Sequence, residues 1–217
     1  ASPVYLDRAK HSIEIGRFDD ALIDIRTYLT LNHNSREAYY LLGRINQGQM
    51  KYKEAAKAFT KAQELNKGKS LALCASALQI SKNAWAVSSI DGKPRPDDQL
   101  SVYMSLVNNM QLPEAAALLD HILKDRKYSV QVYRALFDKS GLKGRLQFSK
   151  SGMIDFYLDK ENKDISALRY FSKAFIGTLS LKGMAVSNLA VLKNLNIHHL
   201  DISGTRVARI PFLKGSG

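Results

Sequence analysis

Apolar residues recur every third or fourth position through roughly the first two thirds of the chain, then at every second position near its end. The first rhythm predicts amphipathic helices, each burying one face, over about 3–15, 18–31, 36–48, 52–65, 69–85, 99–110, 113–126 and 130–141. Pro113 opens one of them, because the first helical turn does not use the amide proton that proline lacks. The polar stretch DGKPRPDD at 91–98 reads as a loop. From residue 146 the rhythm changes to short alternating phrases, which predict brief strands. RLQFSKSGMIDFYLD alternates on both sides of Ser151-Gly152 and predicts a β-hairpin that caps the first of the later strands.

Each rhythm repeats. Shifting the chain by 34 residues places Tyr5 on Tyr39, Ala9 on Gly43, Phe18 on Tyr52, Ala21 on Ala55 and Ile25 on Phe59. Small residues at paired positions let two helices approach closely, and the large ones fill the space between turns. Leu42-Gly43, Tyr52, Ala55, Phe59 and Ala62 resemble the tetratricopeptide repeat, which implies stacked helical hairpins. The unit before departs from that pattern with Arg8-Ala9 and Tyr28, and Lys67 stands where the family's closing proline belongs. The segment 69–85 reads as the opening half of a third unit whose partner does not follow in register.

In the second region Leu179, Leu181, Val186, Leu189 and Leu192 map onto Leu200, Ile202, Val207, Ile210 and Leu213 at a spacing of 21, with Gly183 on Gly204. Phe156, Leu158, Ile165, Leu168 and Phe171 form a looser copy. One such unit cannot bury its own apolar face, but stacked neighbours can. The phrase LDISGTRV resembles the leucine-rich repeat, although glycine replaces the family's asparagine after the strand. The expected fold class is therefore mainly α: a tetratricopeptide-like helical hairpin array over 1–141, then a small parallel β leucine-rich-repeat-like stack over 146–217. The stack is expected to be truncated at its C-terminal end, and neighbouring strands near 156–158, 179–181 and 200–202 are expected to be parallel. This order resembles that of bacterial multidomain proteins, some of which carry a kinase domain elsewhere.

Charge and candidate chemistry change this picture little. The formal net charge is +12, and residues 129–217 hold 14 Lys or Arg against 6 Asp or Glu. Without a Lys/Arg block or a nucleic-acid-reading motif, solvated surface is the simpler reading of that excess. No apolar run is long enough to cross a membrane. Cys74, the only cysteine, lies in LALCASAL and reads as a buried thiol. Trp85 reads as a packing anchor between helices, with ligand contact the alternative. His198 and His199 are adjacent near a strand, so they point to opposite sides and do not chelate one metal. Asp19, Asp20, Asp24, Asp97 and Asp98 read as helix-start and solvent-facing carboxylates. No phosphate-binding loop is present. No enzymatic activity, cofactor, metal or small-molecule substrate is therefore expected.

The expected function is a protein–protein interaction scaffold within a larger multidomain protein, binding a peptide or a partner domain. A structural spacer is the first alternative and a basic nucleic-acid-binding module the second. In tetratricopeptide repeats the first helix of each unit lines a concave groove. The resemblance carries that role to Leu6, Lys10, Ile13 and Glu14, then to Tyr40, Arg44 and Gln47. Leu6 and Lys10 stand where the family's carboxylate clamp needs lysine and asparagine. An acidic or mixed internal segment is therefore the expected ligand, oriented by Lys10 and Arg44 and contacted by Tyr40.

Overall fold

A computed structural model of the chain describes residues 3–66, 72–88, 92, 95–124 and 129–207, with the side chains of Pro96 and Asp97 excepted. The chain divides into two compact units, Ala1–Lys124 and Asp125–Gly217. It is mainly helical, followed by a small, mostly parallel sheet.

The first unit holds α1 (Pro3–Glu14), α2 (Phe18–Leu31), α3 (Arg36–Gly48), α4 (Tyr52–Glu64), α5 (Ala72–Ala86), α6 (Pro96–Asn108) and α7 (Leu112–Ile122). Helices α1–α2, α3–α4 and α6–α7 pack as hairpins, and one turn closes all three. After α1, Gly16 takes φ 75°. Its N–H bonds to Ile13 O, and Arg17 N–H bonds to Ser12 O. This pair of bonds satisfies carbonyls that the helix end leaves without partners. Met50 N–H to Gln47 O with Lys51 N–H to Asn46 O repeats it, as does Met110 N–H to Val107 O with Gln111 N–H to Leu106 O. Met50 and Met110 adopt φ 58° and 59°, left-handed values that a side chain disfavours. The residue that opens each second helix is also alike: Arg17, Lys51 and Gln111 have ψ of 67°, 67° and 61°. The α6–α7 pair is thus another hairpin of the same construction, although it stands out of the 34-residue phase.

Within the hairpins the small residues permit the approach expected of them. Ala9, Ala21 and Ala55 are wholly buried. A Cβ on Gly43 would stand 2.4 Å from the Phe59 ring, so the ring occupies the space a side chain would need. Cys74 is buried, as expected. Asp24 is not solvent-facing. It is 3% exposed and accepts both Arg8 Nε, at 2.7 Å, and a second guanidinium nitrogen, because α1 lies across this turn of α2. Trp85 departs from the packing-anchor reading too, being 46% exposed.

The second unit holds α8 (Ser129–Ser140), β1 (Gly144–Phe148), β2 (Ile154–Leu158), β3 (Phe175–Ser180) and β4 (Asn196–Asp201), in sheet order β1-β2-β3-β4. The sequence assigns α8 to the helical array. In the structure it packs on the 3-10 segment Ser166–Phe171 and belongs with the sheet. Tyr133 stacks on Phe171, Phe137 lies against Phe156, and Phe156 meets Phe171 edge to face with centroids 4.9 Å apart. Strands β1 and β2 form the antiparallel hairpin around Ser151-Gly152. Strands β2, β3 and β4 run parallel, with Phe156 paired to Leu179 and Leu179 to Leu200. The 21-residue repeat is therefore a strand register. Gly183 and Gly204 both take left-handed φ, 69° and 68°, and Gly183 N–H bonds to Ser203 O at 2.7 Å. In the looser first coil the segment from Leu158 to Ile165 is longer, and it seats a buried asparagine. Asn162 donates to Lys143 O and Asp159 O and accepts from Lys143 N–H, tying β1 to the exit of β2. Leu200 is only half-buried on the outer strand β4, whereas Leu179 is fully enclosed. Ile210 and Leu213 lie outside the described residues.

Candidate functional site

Each residue singled out for binding lies on α1 or α3, and the 34-residue period continues onto α5. Leu6, Tyr40 and Cys74 occupy one ridge position; Lys10, Arg44 and Leu78 the next; Ile13, Gln47 and Ser81 a third. The ridges adjoin. Gln47 Nε2 donates to Ser81 Oγ at 2.9 Å and to Ala77 O at 3.1 Å.

Much of this face is already occupied by the chain itself. Helix α7 packs on α3, and Ala117 packs against the core cluster that includes Leu6, Ile13 and Leu41. Leu6 and Ile13 are buried, and Gln47 is wholly so. The side-chain carbonyl of Gln47 accepts a bond from the side chain of Gln111, the residue that opens α7. Arg44 Nε donates to Glu114 Oε1 at 2.5 Å, and its second terminal nitrogen donates to Glu114 Oε2 at 3.2 Å, a two-pronged contact. The remaining nitrogen reaches Glu14 Oε1 at 3.2 Å. Burial opposes the charge on Arg44 and is the largest single influence, but the Glu114 bond together with the attraction of Glu114, Tyr40 and Glu14 outweighs it, leaving the guanidinium more basic than usual. Lys10 bonds Glu37 at 2.7 Å and lies 3.5 Å from Asp7; the Glu37 bond raises its pKa. Both cations expected to orient an acidic ligand therefore hold carboxylates of their own unit.

What stays open is the outer part of the ridge. Arg36, Glu37, Tyr40, Leu73 and Cys74 line a cleft of about 270 Å³ between α3 and α5. Tyr40 is half-buried against Phe59, with centroids 5.8 Å apart, and burial raises its hydroxyl pKa. Leu73 is 61% exposed at the rim. Burial likewise raises the Cys74 thiol, which donates to Phe59 O at 3.6 Å. A protonated, enclosed thiol of this kind is a packing group rather than a nucleophile. Arg36 and Leu73 escaped the sequence reading because they lie outside the groove positions carried over from the family; the 34-residue phase that leads from Tyr40 to Cys74 was the available signal.

His198 and His199 are both exposed on successive positions of β4. Among the described residues no group of three or more His, Cys, Asp or Glu is placed to hold a metal ion, and no helix is long and apolar enough to cross a membrane. No protein-family model matches this chain, and no curated protein or solved structure matches it significantly.

Proposed function

We propose that this chain is a protein–protein interaction scaffold, built from tetratricopeptide-like hairpins and leucine-rich-repeat-like coils and working within a larger multidomain protein. The observation that supports this reading is the open cleft between α3 and α5, where Tyr40 and Leu73 offer apolar contact beside Arg36 and Glu37. An aromatic anchor in a pocket rimmed by charge is how interfaces concentrate affinity and set orientation. The ligand is a mixed peptide segment that lays an apolar side chain on Tyr40 and Leu73. It does not enter the inner groove, which α7 fills.

That filled groove favours a second reading, a spacer whose repeats are closed by α7 and bind nothing. Titration separates the two. Partners captured from the source organism are measured by calorimetry against the wild type and a Lys10→Glu, Leu73→Asp variant. Weaker binding by the variant supports the cleft. Equal affinity for every validated partner removes it, and the lack of any validated partner favours the spacer. Binding of generic DNA or RNA that collapses steeply as salt rises would point instead to a nucleic-acid module.

A further inference from the structure

Between α4 and α5 lies a groove of different character. Lys53, Lys57 and Lys61 follow one another at four-residue intervals on α4, which sets them in a stripe with a rise of about 6 Å per step. Lys82 and Trp85 face them from α5, and Ala56 forms part of the floor. All four lysines are exposed. Among the described residues the only carboxylate lining the groove, Glu64, sits at one end within 3.5 Å of Lys61. Trp85 is the chain's only tryptophan, and Lys53 Nζ lies 5.3 Å from its ring centroid. An exposed indole beside a strip of ammonium groups has the two elements of a recognition site: an apolar anchor and charge of one sign.

We propose that this groove docks an acidic amphipathic helix from a partner protein, with its carboxylates on Lys53, Lys57, Lys61 and Lys82 and an apolar side chain on Trp85. The proposal rests on the scaffold reading but uses a site separate from the α3–α5 cleft. Carboxylates one turn apart on a helix laid along α4 match the lysine spacing step for step. A single-stranded nucleic acid fits less well. Among the described residues the groove offers one aromatic, where successive bases need several. Among the described residues its cations are all lysines, without the guanidinium fork that grips phosphate in two places.

Trp85 makes the groove its own reporter, since no other tryptophan contributes to the emission. The probe is a short helical peptide with glutamates one turn apart and leucine on the same face, titrated into the whole chain while indole fluorescence is followed. A peptide with glutamine for each glutamate and a single-stranded oligothymidine serve as comparisons. The expected result is a saturable blue shift with the glutamate peptide, weakened about tenfold or more in a Lys57→Glu, Lys82→Glu variant with unchanged circular dichroism. The Lys10→Glu, Leu73→Asp variant should bind this probe as the wild type does, so that failure of either site is read separately. Equal binding of the glutamine peptide, tighter binding of oligothymidine, or no shift with any probe would each overturn the proposal.

Discussion

Arg44 on α3 and Glu114 at the start of α7 form a two-pronged ion pair, although 70 residues separate them in the chain. Glu114 is fully buried, and the Arg44 side chain is 14% exposed. Two charges withdrawn from water are tolerable only while each satisfies the other. Arg44→Ala should therefore cost about 3–5 kcal/mol, because it strands the Glu114 carboxylate. Replacing the two together, with Met at 44 and Leu at 114, should recover most of that loss. Urea midpoints of Arg44→Met, Glu114→Leu and the double variant supply the cycle, and additive losses would contradict a coupled pair.

The close packing inside the second hairpin makes Ala55→Leu a test of its register. Ala55 is wholly buried beside Phe59 and Ala62. A larger side chain there should push the helices apart at a cost of about 1–3 kcal/mol, seen as a lower thermal or urea midpoint.

Met110 holds a left-handed backbone while its side chain is 73% exposed, so glycine at this position forfeits almost no packing. Met110→Gly should stabilise the unit by about 1 kcal/mol through relief of the φ penalty. A lower melting temperature would show that the thioether contributes more than its exposure implies.

In the sheet, Leu179 and Leu200 occupy the same register position but not the same burial. Leu179→Ala removes a fully enclosed side chain and should cost about 2–5 kcal/mol. Leu200→Ala, on the half-buried outer strand, should cost clearly less. Equal losses would contradict the described packing of β4.

Asp201 accepts bonds from the Ser203 hydroxyl and backbone N–H, which hold its carboxyl below the usual range, with Ser180 Oγ contributing at 3.3 Å. A carboxyl depressed by folding contributes stability above its unfolded pKa, and that contribution is lost as the pH falls through the folded value. Carbon-detected titration should place Asp201 below an ordinary aspartate, and Ser203→Ala should move it back upward. No movement would mean that the serine does not set its titration.

Much of the architecture was legible because periodicity states which residues of an element are buried. The three- and four-residue intervals gave the helices, the 34-residue phase gave the α1–α2 and α3–α4 hairpins, and the 21-residue phase became the β3–β4 register. Alternation around Ser151-Gly152 gave the β1–β2 hairpin. Periodicity does not state what covers a buried face, since an apolar stripe is satisfied by any partner of suitable shape. Only the tertiary structure decided that α8 closes the sheet unit rather than extending the helical array. It also decided that α7 fills the groove over α3, because Glu114, read locally, is one more acidic residue in a first helical turn. Its role comes from the hairpin that carries it back to Arg44, a contact between distant segments for which no local spacing provides a sign. Trp85 followed the same logic in reverse: its place before the polar break argued for a packing anchor between helices, and the packing of α4 against α5 left it facing solvent beside Lys53.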